Sequence, residues 1–180
     1  HKHRPFAMVS EKARMNSVTF MSPSKAFNMP GLTASHALIF NPKLRRKFHT
    51  YLESSELDLG HVFAFLAVEA AYSHGTEWLD QCLAYIQGNI DYVDEFTKQH
   101  TPKIKVIRPQ ASFLVWLDCR EMGLSQDALN DFFVDKAHLA LNNGVAFGEE
   151  GEGFMRLNVA SPRSVLEQAM KQLADAYVKL

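Results

Sequence analysis

The 180-residue sequence has little cysteine, no long apolar run and almost no net charge. Its two cysteines, Cys82 and Cys119, lie in apolar surroundings on a predicted helix and a predicted strand. This is too little cysteine for a disulfide framework, so we expect reduced thiols and a cytoplasmic location. No apolar run approaches the roughly 20 residues of a membrane-spanning helix, and we expect no signal peptide. The sequence therefore predicts no membrane partner.

The charged residues are balanced and interspersed. The chain carries 19 Lys and Arg against 20 Asp and Glu, which gives a formal net charge of −1. Such a balance provides no basic surface for nucleic acid, so we expect no nucleic-acid partner. The histidines make no i, i+4 ligand pair, and the acidic residues at 149–152 fit a solvated glycine-rich loop better than a cation site. We therefore predict no metal site.

Lys25 occupies an unusual position in the run SPSKAFNMPG at residues 22–31, directly after the β-branched segment SVTFM. This places it at a strand-to-loop junction, with the hydroxyls of Ser22 and Ser24 nearby. A lysine that attacks a carbonyl must be held in place with its amine neutral. Pyridoxal phosphate (PLP) supplies such a carbonyl, and the two hydroxyls could bind its phosphate. The alternative is a surface lysine in a Ser/Pro turn.

Arg156 lies far downstream in the run GEEGEGFMRLN at residues 148–158, a glycine-rich loop followed by a short predicted strand. On a strand, Arg156 points opposite to its neighbours Met155 and Leu157. A guanidinium in that position could clamp a substrate α-carboxylate at two points. The alternative is a strand-end arginine that is exposed to solvent or paired with a nearby glutamate.

The periodicity of the sequence predicts alternating helices and strands. Strands are expected at residues 6–9, 18–21, 36–40, 104–107, 112–117 and 137–141, and around Arg156. Helices are expected at residues 42–54, 60–73, 76–99 and 125–136, and from Pro162 onward with Ser161 as the N-cap. The helix at 60–73 is apolar nearly all round, which is typical of a helix inside a larger body.

Taken in this order, the motifs resemble the C-terminal half of the fold-type I PLP enzymes, the class I/II aminotransferase family. The resemblance rests on the segments SKAFN at 24–28, AY at 71–72, WLD at 78–80, FLVWLD at 113–118, FGEEG at 147–151 and GFMRLN at 153–158. Within the family, the pattern is most similar to the MalY/PatB-type cystathionine β-lyase (C–S lyase) branch. Thr33 stands where many classical aminotransferases carry a phosphate-binding arginine, which again favours the lyase branch.

The resemblance implies an α/β fold, the C-terminal part of the aspartate aminotransferase-like architecture. It divides the chain into a remnant of the large PLP-binding domain (residues 1–75), an interdomain helix (76–101) and a small α+β domain (102–180). It also implies that Lys25 forms a Schiff base with PLP, that Ser22 and Ser24 bind the phosphate, and that Arg156 binds the substrate carboxylate. Family members resemble one another in forming homodimers.

Three functions stay open at this point. The first is elimination of a thiol from an amino-acid substrate such as cystathionine. A second is true amino transfer to a 2-keto acid, and a third is a non-catalytic regulatory or interaction module of the same fold. The resemblance places other cofactor contacts upstream of this stretch, so we expect the chain alone to be inactive and to bind PLP weakly or not at all.

Overall fold

The structure, a computed structural model, describes residues 3–57 and 59–180. The chain divides into two compact units, His1–Gln81 and Cys82–Leu180. Helix α4 (Thr76–His100) begins in the first unit and ends in the second. No helix of the described residues is both long enough and apolar enough to cross a membrane.

The first unit combines helices with a small antiparallel sheet. Its remaining elements are α1 (Glu11–Met15), β1 (Thr19–Met21), β2 (His36–Leu38), α2 (Pro42–Ser54) and α3 (Val62–His74). Strand β1 pairs with β2 so that Met21 lies opposite His36. The intervening connection, which carries Lys25, therefore leaves and re-enters the sheet at neighbouring positions.

Helix α2 begins where the sequence predicts it. The Asn41 side-chain oxygen accepts hydrogen bonds from the backbone N–H groups of Lys43 and Leu44, at 2.9 and 3.3 Å. Pro42 occupies the first turn, where its missing N–H costs nothing. The Asn41 amide also donates to the Met15 carbonyl at 2.9 Å, which ties the start of α2 to the end of α1.

Helix α3 is apolar nearly all round, as predicted, but its apolar side chains are not enclosed by the described residues. Val62, Phe63, Phe65 and Leu66 are each more than half exposed, whereas Ala64 is buried. Apolar patches of this kind usually mark a contact surface for further polypeptide.

The second unit is built on an antiparallel sheet in the order β3-β4-β6-β5. Its strands are β3 (Lys105–Ile107), β4 (Leu114–Asp118), β5 (Asn142–Asn143) and β6 (Phe154–Asn158). The unit also contains helices α5 (Gln126–Asp131) and α6 (Arg163–Tyr177) and a π-helical turn at Phe132–Lys136.

The core of the second unit lies on one face of this sheet. Val115 and Leu117 on β4, and Met155 and Leu157 on β6, are buried and pack with side chains of α4 and α6. Because successive side chains on a strand point to opposite faces, Arg156 lies on the other face and is only partly buried. The predicted orientation of Arg156 is confirmed.

Asn89 joins α4 to the segment that follows β6. Its side-chain amide donates to the carbonyls of Val159 and Ser161, at 2.8 and 3.0 Å, and its oxygen accepts from Arg163 Nε at 2.8 Å. Asn89 is completely buried, and both N–H donors of its amide and one acceptor position of its oxygen are used in this way.

Three local predictions were wrong. Residues 6–9 contain a 3₁₀ turn, Phe6–Met8, because their backbone closes local bonds instead of pairing with a strand. In the predicted strand at 137–141, the Leu139 N–H bonds back to the Phe133 carbonyl at 2.7 Å, so β5 begins only at Asn142. Pro162, rather than Ser161, is the N-cap of α6.

We expect Asn89→Ala to lower the free energy of unfolding by about 1–3 kcal/mol, because the buried carbonyl of Val159 and the partly buried carbonyl of Ser161 lose their donors. Chemical denaturation measures the change. Gln87→Ala is the matched control, since Gln87 is exposed on the same helix. An equal loss in both variants would contradict this role for Asn89.

Candidate active site

Lys25 lies in a tight turn between β1 and the 3₁₀ turn Pro30–Leu32. The Phe27 N–H donates to the Pro23 carbonyl at 2.9 Å, and the Met29 N–H donates to the Ser24 carbonyl at 3.0 Å. These bonds fix the backbone on both sides of Lys25, while its side chain is exposed. The arrangement offers an accessible primary amine on a constrained backbone.

The two serine hydroxyls beside Lys25 are not equivalent. Ser22 Oγ donates to the Ala34 carbonyl at 2.6 Å, accepts from the Ser24 N–H at 3.2 Å, and lies 2.8 Å from Ser24 Oγ. A hydroxyl has a single proton. Because Ser22 Oγ donates its proton to the Ala34 carbonyl, the hydrogen bond between the two hydroxyls must be donated by Ser24 Oγ. Ser22 thus links the two ends of the loop through its bond to Ala34. The Ser24 hydroxyl can rotate to another acceptor without breaking the bond between Ser22 and Ala34.

An aromatic cluster anchors the turn two residues after Lys25. The Phe27 ring lies edge-to-face with Tyr72 at a centroid distance of 5.7 Å and stacks with Trp78 at 6.3 Å. Gly75 lies against the same ring, and a Cβ there would be 2.6 Å from a Phe27 ring atom and 2.4 Å from the Ala71 carbonyl oxygen. The cluster therefore requires glycine at position 75.

Arg156 lies on the face of the second unit's sheet opposite to the core, where uncharged groups hold it. Its Nη2 donates to Asn142 Oδ1 at 2.9 Å, across the β5–β6 pair in which these two residues are opposite. Its guanidinium carbon lies 4.3 Å from the centre of the Phe147 ring. Its Nε is buried and has no hydrogen-bond partner among the described residues, an arrangement that costs about 1–3 kcal/mol.

Two other arginines of this unit, Arg108 and Arg120, are paired with carboxylates. Arg108 pairs with Asp91 and, at 3.0 Å, with Asp94. Arg120 pairs with Asp118 at 2.7 Å, and its hydrogen bonds lower the pKa of that carboxyl. In the described part of the chain, no carboxylate lies within 4.0 Å of the Arg156 guanidinium, so the alternative of a pair with a loop glutamate does not hold.

The structure brings Ser22, Ser24 and Lys25 together in the first unit and places Arg156 in the second. Two residues hold Arg156, and the sequence did not predict either of them. Asn142 and Phe147 reach Arg156 only after segments that are separate in the sequence have come together. No group of three or more His, Cys, Asp or Glu side chains suited to a metal ion occurs within residues 3–57 and 59–180.

Comparisons with known proteins give a consistent result. The family described as "Aminotransferase class I and II" matches residues 3–173. The chain is 39% identical to cystathionine beta-lyase PatB of Bacillus subtilis (strain 168), over 98% of this chain and 46% of that protein. It is 33% identical to Protein MalY of Escherichia coli (strain K12), over 96% of this chain and 45% of that protein.

Among solved structures, the chain is similar to cystalysin of Treponema denticola, which contains a pyridoxal 5'-phosphate cofactor. The TM-score is 0.91 at 30% identity, over 99% of this chain and 45% of that one. The chain thus matches an α/β fold of PLP enzymes throughout, and spans about half the length of the curated relatives it matches.

We expect Gly75→Ala to destabilise the first unit by about 1–3 kcal/mol, because the added Cβ overpacks the Phe27 ring and the Ala71 carbonyl. Denaturant unfolding followed by tryptophan fluorescence checks this. Gly31→Ala is the control, since a Cβ there would meet no atom within 4 Å. Equal stability of the two variants would rule out a packing constraint at Gly75.

Proposed function

Because the chain belongs to the class I and II aminotransferase family, we propose that it is the C-terminal part of a PLP-dependent cystathionine β-lyase, a C–S lyase acting on an amino-acid substrate. Its similarity to PatB over nearly the whole chain supports the lyase branch. The observation that carries the proposal is the presence of an accessible amine at Lys25 and an uncompensated guanidinium at Arg156.

The residues of the Lys25 turn fit a group that carries both an aldehyde and a phosphate. The Lys25 amine would hold the cofactor covalently through its aldehyde, the Schiff-base role expected from the sequence. The Ser24 hydroxyl would donate to the phosphate, because its present acceptor is only another hydroxyl. Ser22 would keep its bond to Ala34 and accept from the Ser24 N–H, so that its part in phosphate binding is largely to shape the loop.

Lys25 and Arg156 would then divide the work on the substrate. When bound, PLP acts as an electron sink that makes the Cα proton of an attached amino acid acidic. The freed Lys25 amine would take that proton as a general base. Arg156 would bind the α-carboxylate and so orient the Cα–H bond. Loss of the thiol from Cβ would then give elimination, whereas return of the proton to an atom other than Cα would lead to amino transfer.

The domain division, the homodimer and the location are further parts of the proposal. We propose that α4 links the remnant of a cofactor-binding domain (residues 1–75) to a small domain (102–180). The exposed apolar side chains of α3 support a contact surface of the kind a homodimer uses.

Burial raises the pKa of the Cys119 thiol to about 12, so it stays protonated and unreactive, which suits a cytoplasmic protein with free thiols.

We expect the full-length protein to release pyruvate and a thiol from cystathionine. Arg156→Lys should lower kcat/KM, because a lysine cannot form the two-point carboxylate clamp. The corresponding loss of transition-state binding free energy should be on the order of 2–5 kcal/mol. Arg120→Lys, which alters an arginine already paired with Asp118, is the control. Amino transfer to a 2-keto acid without pyruvate would contradict the lyase assignment.

We expect the 180-residue chain alone to bind PLP weakly, because its Lys25 turn offers only an amine and hydroxyl groups to the cofactor. Visible absorbance after addition of PLP measures the binding. A strong band that Lys25→Ala abolishes, and that Lys12→Ala on exposed α1 leaves intact, would show that the chain binds the cofactor without further contacts.

A further inference from the structure

We propose that Asn142 is a positioning residue that holds the Arg156 guanidinium in place while leaving its positive charge available to a substrate α-carboxylate. This inference rests on the proposed function, in which Arg156 binds that carboxylate. It adds a role for a residue on a neighbouring strand that touches neither the cofactor nor the reacting atoms.

The first support is the strand register. Asn142 and Arg156 are Cα partners in the β5–β6 pair, and the bond from Nη2 to Asn142 Oδ1 is 2.9 Å long. Both side chains stand on the face of the sheet opposite to buried Met155 and Leu157. The backbone ladder thus fixes the position of the amide oxygen relative to the guanidinium.

The second support is the chemistry of the acceptor. An asparagine oxygen accepts a hydrogen bond without carrying a charge, so it orients the guanidinium and does not neutralise it. Phe147 acts in the same way from another direction, since its ring face attracts the cation at 4.3 Å and Trp116 packs edge-on against that ring at 5.6 Å. Two uncharged groups therefore restrain Arg156.

These restraints define the edge of the guanidinium that a ligand can use. One proton of Nη2 is given to Asn142, and Nε is buried without a partner in the described part of the chain. We assign the remaining donors, Nη1 and the second proton on Nη2, to the carboxylate. Two parallel N–H donors of this kind match the two oxygens of a carboxylate.

Arg163 is also held by an asparagine and an aromatic ring, but in a different setting. Its Nε donates to Asn89 Oδ1 at 2.8 Å, and its guanidinium carbon lies 4.7 Å from the Tyr92 ring centre. Asn89, however, is completely buried and also binds two backbone carbonyls. Arg163 is thus part of the unit's internal packing, whereas Arg156 is held by an exposed strand-edge residue.

The test uses the full-length holoenzyme and two competitive ligands, glycine, which carries a carboxylate, and glycinamide, which does not. Asn142→Asp would place a carboxylate beside Arg156 and compensate its charge. We expect inhibition by glycine to weaken at least about tenfold and inhibition by glycinamide to change less than about twofold, because only glycine needs the clamp. The kcat/KM for cystathionine should fall, with kcat lowered as well as KM raised, because the clamp also orients the Cα–H bond.

Two further variants make the result decisive. Asn158→Asp introduces the same charge on β6, two residues from Arg156, at a side chain whose oxygen accepts from the Ala160 N–H at 2.9 Å, and it should weaken inhibition by glycine much less than Asn142→Asp does. Asn142→Ala removes the acceptor without adding charge. Inhibition by glycine should weaken by about threefold to fivefold, the usual effect of losing one exposed hydrogen bond. Equal weakening of both ligands by Asn142→Asp, or no effect of either Asn142 variant on glycine, would overturn the inference.

The design separates this inference from the proposed function. If Arg156→Lys does not weaken inhibition by glycine more than inhibition by glycinamide, Arg156 does not bind the substrate carboxylate. That part of the proposed function is then wrong. If Arg156→Lys discriminates between the ligands and the Asn142 variants do not, only the positioning role of Asn142 is wrong.

Discussion

The pairing of β4 with β6 is the constraint on which the second unit depends. The ladder runs from Leu114 opposite Asn158 to Asp118 opposite Phe154, and it buries Val115, Leu117, Met155 and Leu157 on one face. A slip by one residue would exchange the two faces and expose the core, so the register is strongly fixed. Trp116 and Arg156 must then share the opposite face, where the carboxylate site is proposed.

The Lys25 turn is stabilised in a different way. It has no extended ladder and depends on short backbone bonds, the Ser22–Ala34 contact and the Phe27 ring packed on Tyr72 and Trp78. This construction keeps the backbone in place while the lysine side chain stays accessible. The proposed roles of Lys25 need both properties. A fixed backbone positions the amine for attachment to the cofactor, and an accessible side chain can then take a proton from the substrate.

The sequence predicts those features that local chemistry determines. Asn41 and Pro42 mark the start of α2, and the alternation around Arg156 gives its orientation. It does not predict contacts that form only after distant segments pair, such as Asn142 with Arg156 or Ser22 with Ala34. It also fails at residues 137–141, where apolar content suggests a strand but the backbone bonds return to the preceding helical turn.

The central claim is that Lys25 is the residue that holds the cofactor. Borohydride reduction of the full-length protein with PLP makes that attachment permanent, and peptide mapping by mass spectrometry then locates the modified lysine. The account predicts a single stoichiometric modification at Lys25. Modification of another lysine instead, such as exposed Lys12 in the same unit, or no stoichiometric modification, would contradict it.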